Sequence, residues 1–549
     1  MDHHHAAVFD RLIYFETALM GTLQDTSVLI LGLGDSGLAM ARWCAHAGAR
    51  VTVADTREAP PQLAALRAEL PDAQFVHGTF AASLVEGSDI RAVFKSPGLT
   101  PEQVAPVLGA ARASGLWSSG ELGLFSQGLQ ALKDGQTYTP KVLAITGTNG
   151  KTTVTSLTGQ LVERAGKTVA VAGNIGPTLL DTLAAHTAAQ TLPEVWMLEL
   201  SSFQLDEVEG FEPTMGTVLN LTQDHLDWHG GMPAYGAAKA RIFGPHRADA
   251  SPMLLNRDDP AVMAMLPALV KGKQLRDYVS FGTDAPTRPG DWGMESVNGM
   301  TWLVKAMEAD ETRRRSKRPH ARSLAAPQGG VPALGRPGGS QQDAAEEVYI
   351  QRLMPADALR IRGKHNASNA LAALALASAA GCTLAPMLYG LREYRGEPHR
   401  VEPVAIVNDV EYFDDSKGTN VGATVAALTG LGGDRKLVVI LGGQGKGQDF
   451  APLAAPVARY ACAVVLIGED APAIAKALEG ISVPVLNASS MEEAVNQAAQ
   501  RAHAGDAVLM SPACASFDMF DNYPHRAEVF RAAVASLAEA AGMPFTEGI

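Results

Sequence analysis

Three times along the chain, an apolar and β-branched run ends in a glycine-rich turn and is followed by a stretch of helix length. The runs with their turns are Ser27–Gly37 (SVLILGLGDSG), Val142–Thr153 (VLAITGTNGKTT) and Leu437–Gly447 (LVVILGGQGKG). Strands that alternate with helix-length segments indicate βαβ units, and near-continuous apolar strands are typical of parallel sheets covered on both faces. The pattern therefore predicts an α/β fold. With 549 residues, and about 150 residues per domain, three or four domains are expected.

Two turn-rich stretches, Lys133–Pro140 and Arg392–Pro398, separate the three runs. They divide the chain into three predicted domains: 1–138, 139–396 and 397–549. Inside the second, residues 307–347 combine a basic cluster with a tail too rich in Gly and Pro for a packed element. We expect a flexible surface insertion there, and docking of its basic cluster onto an acidic partner is the alternative.

Charge and cysteine content exclude several classes of protein. Lys and Arg number 45 against 58 Asp and Glu, a formal net charge of −13, whereas a general nucleic-acid binder needs clustered Lys and Arg. No apolar run reaches the roughly 18 residues of a membrane helix, and the start MDHHHAAVFDRL lacks the pattern of a secretory signal. The four cysteines contain no C-x-x-C pair, which argues against a disulfide framework or a zinc site. We expect a cytoplasmic protein that binds neither nucleic acid nor membrane.

The sharpest motif is the stretch from Ile145 to Thr153, ITGTNGKTT. Its glycines let backbone N–H groups close on phosphate oxygens at the start of the following helix, where Lys151 would reach the β- and γ-phosphates and Thr152 could ligate Mg²⁺. The strict phosphate-loop pattern has glycine at the position of Ile145. A chance Gly-Lys-Thr is the alternative, but the strand pattern before it and the helix pattern after it favour a nucleotide site.

Two other glycine-rich turns are less specific. Gly32–Gly37 reads G-x-G-x-x-G after a strand, with Asp55 about twenty residues further on, as in dinucleotide sites. This turn could bind NAD or FAD, bind another nucleotide, or be a tightly packed turn without a ligand. The phosphate loop elsewhere in the chain makes a redox enzyme less favoured. Gly442–Gly447 has no Ser or Thr after Lys446, so it is either a plain turn or a loop that presents Lys446 to an anion.

Polar residues at predicted strand ends indicate a cation site beside the phosphate loop. Glu199 ends an apolar run, where the carboxyl end of a parallel strand faces the ligand crevice, and Asn220–Asp227 (NLTQDHLD) follows the next apolar run. Taken singly, such residues are more often ordinary polar groups, but together with the phosphate loop they indicate an oxygen-rich Mg²⁺ site. Asn366 and Asn369 share one helix face and suit either an adenine edge or a helix N-cap.

Taken together, these motifs resemble the Mur ligase family of ATP-dependent, amide-forming enzymes, most closely its D-glutamate-adding members. The motifs on which the resemblance depends occur along the chain in the order GTNGKTT, ELSSFQL, NLTQDHLD, YGAAKARIF, GKHNASNALAA, PHRVE, DDSKGTN, LGGQGKGQDF and SPACASFD. They span all three predicted domains. The family's loop does not require glycine at position 145, so Ile145 agrees with the resemblance.

The resemblance implies a three-domain fold with a Rossmann-like N-terminal domain, a central P-loop ATPase-type domain and a Rossmann-like C-terminal domain. The first domain would hold the UDP-sugar substrate UDP-N-acetylmuramoyl-L-alanine, so the first glycine loop would meet a diphosphate other than that of NAD. The residues implied for this substrate are Gly34, Asp35, Ser36 and Gly37 at the phosphates, Asp55, Thr56 and Arg57 at the uracil end, Ser96 and Gly98 in the pocket wall, and Asn174 and His225 beyond them.

The central domain would bind ATP with Mg²⁺. The residues implied for ATP are Gly147, Thr148, Asn149, Gly150, Lys151, Thr152, Thr153 and Asn369, with Arg400 and Asp415 from the third domain. Those implied for Mg²⁺ are Thr152, Glu199, His225 and Lys239. Lys239 matches a lysine that is carbamylated in such ligases; as N6-carboxylysine it would exchange a repelling charge near Mg²⁺ for an attracting one.

The third domain would bind D-glutamate. The residues implied are Lys417, Thr419, Lys446, Ser516 and Tyr523. Relatives commonly have phenylalanine at position 523, and a contact made chiefly through backbone makes that change a small one. Two lysines suit an amino acid with two carboxylates.

The implied activity is ADP-forming ligation of D-glutamate to UDP-N-acetylmuramoyl-L-alanine in peptidoglycan precursor synthesis. An acyl phosphate intermediate would make the carboxylate reactive toward the amine, and Lys151, Glu199, His225 and Lys239 are the expected catalytic residues. The alternatives are another Mur ligase or a folylpolyglutamate synthetase-like ligase, a phosphate-loop switch that forms no amide, and an NAD-dependent redox enzyme. We expect a monomer with hinge motion at the two domain boundaries.

Overall fold

The computed structural model describes residues 23–247, 249–308, 348–433, 435–543 and 545. Its strands form three sheets, each built from a different consecutive stretch of the chain, with helices between successive strands. The predicted α/β class is therefore confirmed. Apart from Met307 and Glu308, the predicted insertion 307–347 lies outside the described residues. None of the helices in the described part combines the length and the apolar character that crossing a bilayer requires.

The first sheet is entirely parallel. Its strands are β1 (Ser27–Leu31), β2 (Arg50–Asp55), β3 (Gln74–His77), β4 (Ile90–Lys95) and β5 (Trp117–Gly120). They lie in the order β3-β2-β1-β4-β5. Its helices are α1 (Asp35–His46), α2 (Leu63–Glu69), α3 (Pro101–Ala113) and α4 (Glu121–Gln136).

The second sheet contains the strand that precedes the phosphate loop. Its strands are β6 (Lys141–Thr146), β7 (Val169–Gly173), β8 (Val195–Glu199), β9 (Met215–Val218), β10 (Met253–Asn256), β11 (Tyr278–Phe281), β12 (Trp292–Val297), β13 (Met300–Glu308) and β14 (Val348–Pro355). Their order is β14-β13-β12-β11-β10-β9-β6-β8-β7, so β6 lies between β8 and β9. The carboxyl ends of these three parallel strands therefore meet where the order of strands reverses, which is where open α/β sheets bind ligands.

The helices of this part pack an Ala- and Leu-rich helix against the phosphate-loop helix. They are α5 (Lys151–Arg164), α6 (Leu179–Ala188), α7 (Ser202–Leu205), α8 (Leu226–His229), α9 (Met232–Ala240), α10 (Pro260–Met263), α11 (Lys364–Ala379) and α12 (Leu384–Glu393). The central residues of α11 are buried in the same apolar core as Val154, Leu157 and Leu161 of α5. This packing holds the start of α11, with its two asparagines, beside the phosphate loop.

An antiparallel extension departs from the mostly parallel pattern that the sequence predicts. Strands β12, β13 and β14 pair antiparallel at one edge of the second sheet. The last pairs of the outer hairpin are Met307 with Tyr349 and Glu308 with Val348. The two chain positions that flank residues 309–347 are therefore neighbours in one ladder.

The third sheet is parallel except for its first strand. Its strands are β15 (Glu402–Val407), β16 (Val410–Asp414), β17 (Leu437–Gly442), β18 (Ala461–Ile467), β19 (Val485–Asn487) and β20 (Ala507–Met510). They lie in the order β15-β16-β20-β17-β18-β19. Its helices are α13 (Val421–Leu431), α14 (Ala454–Tyr460), α15 (Ala471–Ala477), α16 (Met491–Arg501) and α17 (Tyr523–Ala540).

One predicted turn is partly helical. The stretch Lys133–Pro140 was expected to be irregular, but α4 continues to Gln136 and ends at Thr137 in the left-handed backbone region. Leu132, in the last part of α4, is fully buried, so packing of this helix face overrides the helix-breaking tendency of Gly135.

Candidate functional site

The phosphate loop connects the buried strand β6 to α5. Gly147 and Gly150 have φ angles of 149° and 83°, which side-chain-bearing residues rarely adopt. Lys151 Nζ donates hydrogen bonds to the carbonyl oxygens of Gly147 at 2.9 Å and Thr148 at 3.0 Å. Burial lowers the pKa of Lys151, and the charge of Glu199 opposes that shift. The ammonium group is thus held over the loop, where a phosphate would pair with it.

One carboxylate oxygen of Glu199 has no hydrogen-bond partner among the described residues. The residue is 1% exposed at the carboxyl end of β8, and it pairs with Ile145 of β6. Its Oε1 accepts a hydrogen bond from Asn174 Nδ2 at 3.0 Å, whereas Oε2 is buried and accepts none. A buried, unpaired carboxylate oxygen is costly unless a cation or donor meets it. Its position beside the phosphate loop therefore fits a hard cation such as Mg²⁺.

Lys239 is a buried amine on the other side of the same loop. It is 2% exposed, and its Nζ donates to Gly147 O at 2.9 Å and to Thr146 Oγ1 at 3.3 Å. The amine lies 4.7 Å from the centre of the Tyr235 ring. Burial, reinforced by the nearby charge of Lys151, holds the pKa of Lys239 well below its usual value. A pKa lowered in this way favours the unprotonated, nucleophilic form of the amine.

His225 lies at the edge of this group. Its backbone is left-handed (φ 52°), its side chain is 46% exposed, and its ring packs edge-on against Phe203. Partial burial lowers the pKa of His225; Asp224 opposes the shift, and Lys239 and Lys151 add to it. The imidazole is therefore mainly neutral, which suits a proton acceptor more than a fixed cation.

Residues of the third sheet reach the phosphate loop. Arg400 Nη2 donates to Thr152 Oγ1 at 3.0 Å, and Asn420 Nδ2 donates to Asn149 Oδ1 at 3.2 Å. The predicted Mg²⁺ ligand Thr152 therefore has its hydroxyl engaged by Arg400 in this arrangement. These contacts close one side of a cleft. The lining of the cleft includes Lys417, which is implied for the amino acid, its neighbour Gly418, and six residues implied for ATP: Asn149, Gly150, Thr153, Asn369, Arg400 and Asp415.

The asparagine pair of α11 lines this cleft and does not cap the helix. The N-cap position is occupied by Gly363, and Asn366 Nδ2 donates to Arg362 O at 2.8 Å. Asn369 Nδ2 donates to Asn366 Oδ1 at 3.2 Å. Of the two readings from sequence, the N-cap is therefore wrong, and the position of Asn369 beside Gly150 is compatible with a nucleotide contact.

The buried carboxylate of Asp415 is expected to make the stability of the fold depend on pH. Its carboxylate accepts hydrogen bonds from Ser511 Oγ at 2.6 Å and Val401 N at 3.2 Å, and burial raises its pKa to about 7. The folded state therefore retains a proton that the unfolded state loses between about pH 4 and pH 7, and this group makes folding less favourable as pH rises through that window. We expect the melting temperature of Asp415→Asn, relative to wild type, to rise from about pH 5 to about pH 8. A difference independent of pH, in thermal scans without nucleotide, would contradict this.

Each of two lysines implied for D-glutamate lies over an aromatic ring. Lys417 Nζ is 5.5 Å from the centre of the Tyr523 ring, and Lys446 Nζ is 5.8 Å from that of the Phe517 ring. Ser516 is 2% exposed, and Thr419 N donates to Lys417 O at 2.9 Å. Phe517 is not among the residues implied for D-glutamate. Its position directly after Ser516, which is one of them, could have indicated that it belongs to the site.

Apart from Asn174 and His225, which belong to the second sheet's part of the chain, the residues implied for the UDP-sugar lie along the carboxyl edge of the first sheet. Gly34 is the N-cap of α1, Ser96 Oγ donates to Gly32 O at 3.0 Å, and Asp35, Thr56, Arg57 and Gly98 are exposed there. Asp55 is 2% exposed and accepts from Leu33 N at 2.7 Å and from the Arg57 backbone and guanidinium. Burial alone would raise the pKa of Asp55, but the bonds from Arg57 lower it. Asp55 therefore shapes the loop rather than offering a free acceptor.

Four residues within the quoted motifs support the site in roles that the sequence did not assign to them. Tyr235 stacks on Lys239 four residues later, a helical spacing that the sequence displays. Asn220 Oδ1 accepts from Asn149 N at 2.8 Å and so fixes the phosphate loop. Thr146 contacts Lys239, and Asp224 acts on the pKa of His225. Asn220 and Asp224 lie inside the quoted NLTQDHLD motif, so only their roles were missed.

Family models cover each part of the chain. Residues 26–117 match a "Mur ligase MurD-like, N-terminal domain", residues 145–307 a "Mur ligase middle domain" and residues 399–514 a "Mur ligase, glutamate ligase domain". The predicted three-domain Mur ligase architecture agrees with these matches and is confirmed.

Curated relatives match nearly the whole chain. A UDP-N-acetylmuramoylalanine--D-glutamate ligase of Albidiferax ferrireducens is 66% identical over 95% of this chain and 98% of its own. A protein of the same name from Cupriavidus pinatubonensis is 55% identical over 96% of this chain and 100% of its own. Among solved structures, the MurF ligase from Thermotoga maritima in complex with ADP has the same fold, with a TM-score of 0.52, 15% identity, and coverage of 95% of this chain and 97% of that one.

Proposed function

Because the chain belongs to the Mur ligase family, we propose that it is an ATP-dependent ligase that joins D-glutamate to UDP-N-acetylmuramoyl-L-alanine. The 66% identity to the Albidiferax ferrireducens ligase of that name, over 95% of this chain, supports the choice of substrates. The observation that carries the chemistry is the arrangement of Lys151, the free oxygen of Glu199 and the buried amine of Lys239 around one phosphate loop.

The reaction needs a good leaving group on the substrate carboxyl. The carboxylate oxygen of UDP-N-acetylmuramoyl-L-alanine attacks the γ-phosphorus of ATP, and ADP leaves. Lys151 and the loop N–H groups stabilise the charge on the transferring phosphoryl group. The D-glutamate amine then attacks the acyl carbon, phosphate leaves, and an amide remains. His225, neutral and beside the loop, is the group we assign to the amine proton.

Glu199 and Lys239 are the residues that we assign to Mg²⁺. When bound, the cation neutralises phosphate charge during transfer. The free oxygen of Glu199 is available to it directly. Lys239 would become a ligand after its neutral amine attacks CO₂, forms the N–C bond of N6-carboxylysine and releases a proton. Burial and the nearby charge of Lys151 lower the pKa of this amine and so favour the unprotonated form that the step uses.

Two ammonium groups match the two carboxylates of the amino acid. We assign Lys417 and Lys446 to these carboxylates, with Thr419, Ser516 and Tyr523 as neighbouring contacts. Arg400 and Asp415 lie between this group and the phosphate loop, so the amine of a bound amino acid would approach the acyl phosphate from the third sheet.

A panel of single amino acids tests the proposal. The full-length protein is incubated with UDP-N-acetylmuramoyl-L-alanine, ATP, Mg²⁺ and one amino acid, and phosphate release and product mass are measured. We expect release and a glutamyl adduct with D-glutamate, and at least about 100-fold less with its enantiomer L-glutamate, because mirror placement leaves one carboxylate unpaired.

Two outcomes would contradict the proposal. Preference for L-glutamate or a diamino acid would assign the chain to a different amide ligase of the family. ATP turnover without any glutamyl adduct would instead favour a nucleotide switch. The same assay without UDP-sugar gives the background hydrolysis.

A further inference from the structure

Asn420 joins the amino-acid side of the site to the phosphate loop, and the chemistry assigned above does not use it. It directly follows Thr419, which is implied for D-glutamate, and it is 8% exposed. Its Nδ2 donates to Asn149 Oδ1 at 3.2 Å, and Asn149 Nδ2 donates to Asn420 Oδ1 at 3.4 Å. Two carboxamides therefore face each other between the second and third sheets' parts of the chain, and each is both donor and acceptor to the other.

The backbone of Asn149 is fixed within the second sheet's part of the chain. Its N–H donates to Asn220 Oδ1 at 2.8 Å, and its carbonyl oxygen accepts from Asn220 Nδ2 at 3.0 Å. Asn220 comes shortly after β9, so the loop is held from the carboxyl edge of that sheet. Because the backbone groups of Asn149 are satisfied in this way, its side chain is left to bond Asn420.

On the other side of the pair, Asn420 fixes the start of α13. Its Oδ1 also accepts from Ala423 N at 2.9 Å, which is the N-cap bond of that helix. One side-chain oxygen therefore caps a helix and meets the phosphate loop. Lys417 and Thr419 lie just before this cap, so the amide pair relates the position of the amino-acid site to that of the loop.

Glycine allows the start of α13 to come close enough for this pair. A Cβ at Gly422 would lie 2.5 Å from Thr222 Oγ1 and 3.2 Å from Asn149 Nδ2, which is closer than packed atoms ordinarily come. Further along the same helix, a Cβ at Gly430 would lie 2.3 Å from His365 Nδ1. At both places α13 contacts the second sheet's part of the chain with backbone that carries no side chain.

We propose that Asn420 is a positioning residue, which keeps the bound amino acid in line with the acyl phosphate through its pair with Asn149. The proposal rests on the function proposed above. Attack by the D-glutamate amine on the acyl carbon forms the C–N bond, breaks the bond to phosphate and releases a proton. Attack by water at the same carbon breaks the same bond but restores the carboxylate, so ATP is consumed without an amide.

The amide pair favours the first of these two reactions. A small displacement of a reacting group from its line of attack removes much of the rate, and a cleft that opens admits water. Loss of the contact between Asn420 and Asn149 loosens the third sheet's part of the chain from the phosphate loop. The consequence is a slower ligation and a larger share of hydrolysis.

Two substitutions separate the pairing from the helix cap. Asn420→Ser keeps an oxygen for the N-cap bond to Ala423, but its shorter side chain does not reach Asn149. Gly422→Ala keeps Asn420 and favours the helix itself, but its methyl group pushes the start of α13 away from Thr222. The two variants disturb one contact in different ways, so Gly422→Ala decides the matter if Asn420→Ser does not fold.

Ser490→Ala is the matched control, because it removes a helix cap elsewhere in the third sheet's part of the chain. Ser490 is the N-cap of α16, and its Oγ accepts from Glu493 N at 3.1 Å. This helix follows β19, the edge strand of the third sheet, and none of the described residues that line the cleft belongs to it. The variant therefore lowers stability without altering the pair of asparagines.

The test measures how phosphate release divides between ligation and hydrolysis. Full-length wild type and the three variants are incubated with UDP-N-acetylmuramoyl-L-alanine, ATP, Mg²⁺ and saturating D-glutamate. Phosphate and glutamyl product are measured in the same samples, and the phosphate released without UDP-sugar is subtracted. We expect equal amounts of phosphate and product in wild type and in Ser490→Ala. In Asn420→Ser and Gly422→Ala we expect a kcat for product at least about tenfold lower, and more phosphate than product.

The outcomes separate this proposal from the proposed function. Equal amounts of phosphate and product in a folded Asn420→Ser or Gly422→Ala would overturn the role of Asn420, even if kcat fell. A merely structural Asn420 would behave in this way, with a lower melting temperature and an unchanged ratio, as in Ser490→Ala. A wild type that forms no glutamyl product from D-glutamate would overturn the proposed function, and this proposal with it.

Discussion

Replacing Lys239 by alanine is expected to reduce kcat/KM for ligation by at least about 100-fold and to leave the protein folded. The amine is buried against Tyr235 and bonded to the phosphate loop, and burial lowers its pKa. Its loss removes the group that we assign to Mg²⁺ as N6-carboxylysine. The cost to the fold stays small, because burying an amine is itself unfavourable and offsets the lost hydrogen bonds.

Lys305→Ala is the matched control for this variant. Lys305 also lies over an aromatic ring, 4.5 Å from the centre of Trp292, and burial lowers its pKa, but it belongs to β13, away from the phosphate loop. We expect it to retain wild-type kcat/KM. Added bicarbonate should not rescue Lys239→Ala, and ¹³C-labelled CO₂ should give a carbamate signal in wild type that this variant lacks. Undiminished ligation by Lys239→Ala would exclude the metal role.

Glu199→Gln is expected to lose activity by at least about 100-fold without losing stability. The amide oxygen can still accept from Asn174, so the local packing is preserved. The variant lacks the buried carboxylate charge, whose free oxygen has no partner in the described structure. Removal of an unpaired buried charge does not destabilise a fold, whereas removal of a cation ligand weakens Mg²⁺ binding.

A Mg²⁺ titration distinguishes this effect from a general loss of structure. The Mg²⁺ concentration for half-maximal ligation should rise in Glu199→Gln, with an unchanged melting temperature of the free protein. Glu194→Gln, directly before the strand that Glu199 ends and 57% exposed, should behave as wild type in both measurements. A lower melting temperature with unchanged Mg²⁺ dependence would indicate that Glu199 is structural.

Much of the site could be predicted because local patterns determine it. The phosphate loop follows a buried strand and begins a helix, and Glu199 ends the neighbouring strand, so both lie at one sheet edge. Tyr235 and Lys239 share a helix face by spacing alone. Such features depend on periodicity and on the direction of parallel strands, which the sequence displays.

Features that depend on packing between distant segments could not be predicted. The bond from Arg400 to Thr152 requires the third sheet to lie against the phosphate loop, and the free oxygen of Glu199 depends on what surrounds it in three dimensions. From the sequence, Glu121 is expected to be an ordinary carboxylate in the first turn of its own helix. Only the folded structure shows that it also accepts a hydrogen bond from Leu180 N, at the start of another helix.

The pairing of Glu308 with Val348 has a practical consequence for engineering. Because these residues are neighbours across an antiparallel ladder, a segment inserted between them begins and ends at adjacent backbone positions. A reporter domain whose own ends lie close together could therefore be grafted at this place. The ligase could then carry a fluorescent or affinity module at the β14 edge of its second sheet, which is the edge opposite β7.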